Sequence, residues 1–170
     1  MKTRLAIISD LDRLNMIQYE AANRIKETGS TQWATVLLGE EKANLKKQVE
    51  QGHVWVIEEN ETILGLLYLY DTPNTWDRML WENQELIPGA CYLHKLALSN
   101  EAVGKGVADE FLHQTMTYVH NNNQVICLDC MAQKEMLSKL YERVGFEFIA
   151  SVPVTNDEFN KELFNLYRFP

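Results

Sequence analysis

Gly104-Lys105-Gly106 stands between an apolar run, Leu93 to Leu98, and a segment in which Val103, Val107, Phe111, Leu112, Met116 and Val119 recur at helical spacing. Strand, glycine loop and helix in that order form an arrangement suited to a phosphate. The first-turn N–H groups of a helix have no internal partner, the dipole is positive there, and glycine lets an anion approach the backbone. No Ser or Thr follows Lys105 and the preceding glycine is missing, so this is not a nucleoside-triphosphate loop. Cys127-x-x-Cys130 is a second candidate. Residues three apart on a strand face opposite sides, so these thiols cannot grip one metal together, and no further Cys or His pair completes a set. We expect no metal. His94, inside the apolar run, is the third: an imidazole with a pKa of about 6.5 can accept a proton near neutrality.

The elements that must position these groups are legible as alternating patterns. Leu5 to Ile8 reads as a first strand, and Leu11, Leu14, Ile17, Ala21 and Ile25 give one face of a helix ending near Gly29. Ser30 to Trp33 reads as a loop, Glu40 to Gln51 as a helix stopped by Gly52, and Val54–Glu58 and Ile63–Tyr70 as a hairpin. Asp71 to Ala90 has no strong period and holds Trp76 and Trp81, with a short helix expected around Trp76 to Asn83. Gln124 to Met131 is a run suited to a strand buried on both faces. Glu135 to Val144 is helical, with Gly145 as its stop. Phe146–Val152 and Leu163–Phe169 are the last strands, joined by a polar loop from Pro153 to Lys161. Hairpins imply antiparallel pairing and the crossover through the Phe111 helix implies one parallel pair, so the expected fold is an α/β mixed sheet. No repeat or linker divides the chain, and residues 1–170 are expected to form a single domain.

A hydrophobic fraction of 46% and a charged fraction of 24% are those of an ordinary globular protein. No apolar run is long enough to span a membrane and no signal-peptide core follows Met1-Lys2-Thr3-Arg4. Three cysteines suggest no disulfide framework, so a cytoplasmic location is expected. The net charge of -8 argues against a nucleic-acid partner and favours cationic ones.

Glu101-Ala102-Val103-Gly104-Lys105-Gly106 resembles the acyl-CoA loop of the GNAT superfamily of N-acyltransferases, Gln/Arg-x-x-Gly-x-Gly/Ala. Leu140-Tyr141-Glu142-Arg143-Val144-Gly145-Phe146 resembles that family's helix-end pattern, Leu-Tyr-x-x-x-Gly-Phe. The resemblance covers nearly the whole chain. It implies a single-domain mixed sheet, mainly antiparallel, flanked by helices, with a splayed parallel pair of central strands. It implies acetyl-CoA or a related acyl-CoA as donor, with the backbone of Leu96, Ala97 and Leu98 pairing with the pantetheine arm. The amides of Val103, Gly104, Lys105, Gly106, Val107 and Ala108 would hold the diphosphate, with Lys134 a further phosphate partner. It makes Tyr141 the general acid for the departing thiolate. Where some members carry Glu on the central strand this chain has Tyr92, and His94, on the same strand face, is the candidate base. Glu101 departs from the pattern by placing a negative charge near the diphosphate.

The expected activity is transfer of an acetyl or other acyl group to a primary amine of a small molecule or peptide, by direct attack in a ternary complex. Trp33, Trp76 and Tyr92 are expected on the acceptor side. Two rivals remain: a silent acyl-CoA-binding or sensing protein, which Glu101 favours, and an O-acyltransferase, which needs a stronger base. Members of the family often dimerise, and the last strands offer an edge for a homodimer.

Overall fold

The computed structural model describes residues 1–84, 87–155 and 160–170. The strands are β1 Lys2–Leu5, β2 Val54–Glu59, β3 Thr62–Tyr70, β4 Cys91–Leu98, β5 Ile126–Met131, β6 Glu147–Thr155 and β7 Asn160–Phe169. The helices are α1 Leu11–Glu27, α2 Ala34–Leu37, α3 Lys42–Glu50, α4 Thr75–Leu80, α5 Val107–Asn121 and α6 Glu135–Val144. The strands follow the order β1-β2-β3-β4-β5-β7-β6. β4 and β5 run parallel, whereas β1-β2, β2-β3, β5-β7 and β7-β6 are antiparallel, which is the mixed α/β sheet the patterns imply. By compactness the chain divides into Met1–Leu69 with Lys95–Gln114, and Tyr70–His94 with Thr115–Pro170.

In the first unit, α1 forms because Leu14, Ile17 and Ala21 recur on one face; all three are buried. β1 lies earlier than the expected Leu5–Ile8, because the Asp10 carboxylate stops it. That carboxylate accepts from the Ile7 N–H at 2.8 Å and from Arg4 at 2.7 Å, while Arg4 also reaches Glu58 on β2 at 2.8 Å. Ile7 and Ile8 are left exposed. The β2–β3 turn puts Asn60 and Glu61 at φ of 49° and 63°, the left-handed pair that matches strand twist in a two-residue hairpin. Trp33 has φ of 67° ahead of the four-residue α2 and is half-buried.

The second unit closes on Trp81, Tyr92, Cys127, Phe164 and Leu166, all buried together. α4 starts with a reciprocal cap: Asn74 Oδ1 accepts the Asp77 N–H at 3.0 Å, and Asp77 Oδ2 accepts the Asn74 N–H at 2.9 Å. It lies inside the expected loop segment Asp71–Ala90, of which residues 85–86 fall outside the described residues. α6 ends at Gly145 with φ of 108°, as its sequence suggests. β6 and β7 run further than expected, so Pro153–Thr155 and Asn160–Lys161 belong to strands and only residues 156–159 of that loop fall outside the described residues. Pro153 is tolerated because β6 ends the strand order. Cys127 packs in the Trp81 cluster, whereas the Cys130 sulfur approaches Ser138 of α6 at 3.8 Å, so the two thiols serve different surroundings.

Gly65 on β3 lies tightly against the end of β4. A Cβ there would stand 2.6 Å from Leu98 Cδ2 and 2.9 Å from the Ala97 carbonyl oxygen, and the backbone atom cannot swing away. Gly65→Ala is expected to lower the free energy of unfolding by about 1–3 kcal/mol in urea titrations; unchanged stability would show that the two strands are not in such close contact.

Candidate functional site

The glycine loop belongs to the first unit, and α1 fixes its entrance. Ser99 is buried and donates its N–H to Leu64 O at 2.8 Å; its own carbonyl accepts from the buried Ala102 at 3.0 Å. Glu20 accepts the Asn100 N–H at 2.5 Å, and Arg24 donates to the Leu98 carbonyl at 2.5 Å and to the Asn100 side chain. Arg13 forms an ion pair with Glu101 and donates to Ile63 O at 3.0 Å. The charge that departs from the family pattern is therefore engaged by an arginine. Leu96 and Leu98 are half-buried and Ala97 is buried; the Leu98 carbonyl is already taken by Arg24.

Beyond Ala102 the loop opens. Val103, Gly104, Lys105 and Gly106 are exposed, both glycines sit at φ of 75°, and a Cβ at either would project into open space. Two left-handed residues cannot continue a right-handed helix, so α5 begins at Val107 and its buried face runs from there rather than from Val103. The Glu110 N–H makes the α-helical bond to Gly106 O at 3.1 Å; the helix offers no acceptor to the amides before it. The Lys105 N–H turns back to Ala102 O at 3.4 Å, and the exposed Lys105 side chain, the open space at Gly104 and Gly106 and the helix start at Val107 fit the diphosphate of an acyl-CoA. Of the two first-turn acids, Glu110 is held by Gln114 at 2.6 Å.

The second unit holds the titratable groups. The parallel ladder joins Cys91, Tyr92 and Leu93 to Ile126, Cys127 and Leu128; the next residues along the two strands are His94 and Asp129. His94 Nε2 lies 3.0 Å from Asp77 Oδ1 and 3.2 Å from Oδ2, with the Asp77 side chain 2% exposed and that of His94 17% exposed. The Asp77 cap bond therefore also fixes the carboxylate that holds the imidazole. Trp76 Nε1 donates to Asp129 Oδ1 at 3.1 Å, and the Tyr70 ring stands 5.5 Å from that of His94. One donor atom from each of Asp77, His94 and Asp129 lies within 4.8 Å of the others, a spacing that a cation accepts. Burial pushes the Asp129 carboxyl up to about 6, with Asp77 adding repulsion and with His94 and the Trp76 bond opposing.

Tyr141 is buried, its ring 5.9 Å from Phe146 and 5.8 Å from Tyr167. Burial, followed by the nearby Cys130, Asp129 and Tyr167, pushes its hydroxyl far up and holds it protonated. Tyr92 is buried in the Trp81 cluster, its hydroxyl raised by burial; Trp76 is half-buried, and Lys134 is half-buried at the start of α6. Sequence reasoning missed Asp77 and Asp129. Their signals were present: an acid interrupting the apolar run Gln124–Met131, and Asn74-x-x-Asp77 as a cap pattern.

Because the folded Asp129 carboxyl titrates near 6 rather than 3.8, its ionisation opposes folding as pH rises through that window. Asp129→Asn is expected to gain stability over the parent between pH 4 and 6 and to hold that gain above pH 6. Urea titrations across this range check it; a difference independent of pH would contradict it.

The acetyltransferase (GNAT) domain model matches residues 50–148. The chain is 30% identical over 159 residues to the uncharacterized N-acetyltransferase YesJ of Bacillus subtilis, covering 93% of this chain and 88% of that one. A GNAT-family acetyltransferase of Listeria monocytogenes superposes with a TM-score of 0.78 at 28% identity, over 99% of this chain and 93% of the other. The yncA protein of Salmonella typhimurium, solved with its cofactor acetyl-CoA, shares the fold at a TM-score of 0.66 and 16% identity, over 99% of this chain and 92% of that one. The domain match and the YesJ likeness together place this chain in the GNAT acetyltransferase family.

Proposed function

We propose that this protein transfers an acetyl group from acetyl-CoA to a primary amine. The observation that carries the reading is the exposed loop Val103–Gly106 at the start of α5, held open by two left-handed glycines and anchored through Arg13, Glu20 and Arg24. When bound, acetyl-CoA supplies the activated acyl thioester. The loop and Lys105 would hold the diphosphate, and the backbone of Leu96 and Ala97 would orient the pantetheine arm. His94 takes the proton that an alkylammonium must lose before it attacks, since its pKa is about 10.4. The Asp77 carboxylate, 3.0 Å from Nε2, stabilises the imidazolium once formed. Tyr141, kept protonated by burial, gives its proton to the departing thiolate. The half-buried Trp76 is the acceptor-side aromatic in this reading, whereas Tyr92 is enclosed in the Trp81 cluster.

The His94–Asp77 pair also favours a second reading, because an imidazole held by a carboxylate can activate a hydroxyl. Thiol release with matched amines and alcohols separates the two. The silent-binder reading loses its support from Glu101, whose charge is paired with Arg13.

Thiol release from acetyl-CoA is expected with amines and is expected to fall about 10²–10⁴-fold in Tyr141→Phe, with acetyl-CoA affinity retained. A rate within twofold of the parent removes Tyr141 from the reaction. Arg13→Ala, which strands the Glu101 charge beside the loop, is expected to weaken acetyl-CoA binding by about tenfold, and Glu101→Gln in the same chain to restore it. Calorimetry reads both, and failure of the rescue would show that Arg13 acts through something other than that charge.

A further inference from the structure

We propose that the Lys95–Glu41 pair is a positioning device for the cofactor: it holds β4 in a left-handed kink at Lys95, and that kink sets the Leu96–Ala97 backbone for the pantetheine arm. This inference rests on the acetyl-CoA reading and adds to it two residues that touch no ligand.

Trp33, Asn60, Glu61 and Asn123 take left-handed angles between elements, and Lys161 does so at the start of β7. Among the described residues other than glycine, Lys95 alone does so in mid-strand, at φ of 52°. Lysine has neither the freedom of glycine nor the short polar side chain that lets Asn and Asp visit this region. Without support, the strand would relax to extended backbone there. The support comes from three elements of the first unit. Glu41, at the entry to α3, takes the Lys95 ammonium at 2.7 Å. Glu41 is itself set by Asn44 Nδ2 and Thr35 Oγ1, each donating to it at 3.3 Å. The centre of the Tyr68 ring, on β3, lies 5.4 Å from the same ammonium, and the Tyr68 hydroxyl accepts from the buried Gln18 of α1 at 3.1 Å. The side chains of Lys95 and Glu41 are 28% and 24% exposed, so water and salt screen this pair less than one on the open surface.

The downstream end of the segment is fixed separately. Arg24 donates to the Leu98 carbonyl at 2.5 Å, and the Ser99 N–H donates to Leu64 O at 2.8 Å. Gly65 lies against Ala97 O, which a Cβ there would crowd at 2.9 Å. Leu96 and Ala97 thus span two fixtures, one at Lys95 and one at Leu98–Ser99. With the first released, the two residues can turn about the strand axis, and their N–H and C=O groups turn with them. Binding of the arm must then restore the kink, and affinity falls by what that restoration costs.

The experiment compares two replacements of Lys95 by calorimetric titration. Lys95→Met keeps a long side chain without the ammonium, so the strain stays and its support goes. Lys95→Gly also loses the ammonium, but glycine takes the same angle without strain. The acetyl-CoA dissociation constant is expected to rise about 5–10-fold in Lys95→Met and in Glu41→Ala, and to stay within about twofold of the parent in Lys95→Gly. The nucleotide half of the cofactor, 3′-phospho-ADP, is expected to bind the parent and all three variants within about twofold. That result shows the variants folded and confines the effect to the arm. If the charge itself or side-chain packing were what matters, Lys95→Gly would lose at least as much affinity as Lys95→Met, and that outcome overturns the inference. So does unchanged acetyl-CoA affinity in Lys95→Met, or an equal loss of acetyl-CoA and 3′-phospho-ADP. Each of these leaves the acetyl-CoA reading standing. No affinity of the parent protein for acetyl-CoA or 3′-phospho-ADP would instead overturn that reading, and this inference with it.

Discussion

One left-handed residue, Lys95, interrupts β4 with φ of 52°. A side chain at that angle costs on the order of 1 kcal/mol, and something must hold it. Its ammonium is paired with Glu41 at 2.7 Å and lies 5.4 Å from the centre of the Tyr68 ring. Glu41 is drawn below the ordinary carboxylate range by Lys95, with Asn44 and Thr35 assisting, although burial, the largest influence, works against this. The charge pair and the ring contact thus keep a strained backbone in place. A left-handed residue breaks the strict alternation of a strand, so His94 before it and Leu96 to Leu98 after it need not share one parity. The residues before Lys95 carry acid–base groups, and those after it lead into the glycine loop.

The two groups of candidate residues are stabilised by different physics. The loop is held by charged hydrogen bonds from α1: Arg13, Glu20 and Arg24 occupy Glu101, Asn100 and the Leu98 carbonyl. Glycine geometry leaves Val103 to Gly106 exposed ahead of the helix start, with the Lys105 N–H turned back to Ala102 O. The acid–base cluster is held by a helix cap that serves twice. Asp77 closes the first turn of α4 and at the same time orients His94. Loss of the cap would therefore affect both local helix stability and the imidazole. Asp129 is the costly member, since its burial opposes its charge.

Much of the fold was legible because it is written in local signals. Gly145 stops α6, the hairpin around Asn60-Glu61 turns where the apolar runs break, and the period from Val107 to Val119 is helical. The glycine loop was legible for the same reason. What stayed hidden depends on distant pairs or on backbone angles that residue type does not announce. Glu101 looked like an obstacle because its partner, Arg13, is 88 residues away. The carboxylate beside His94 could not be read because Asp77 lies 17 residues before it on another element. Trp76 reaches Asp129 across 53 residues. A lysine gives no hint of a left-handed φ, so the break in β4 was unreadable. β1 was displaced because the Arg4–Asp10 pair outweighed the apolar run Leu5 to Ile8.

The central claim is that the amides of Gly104 to Ala108 hold a diphosphate, so the most direct measurement compares calorimetric titrations of acetyl-CoA and S-acetylpantetheine, which lacks it. Binding of acetyl-CoA with at least about a hundredfold loss for the truncated thioester is the predicted result. Equal affinity for the two, or no heat with either at millimolar ligand, would contradict it.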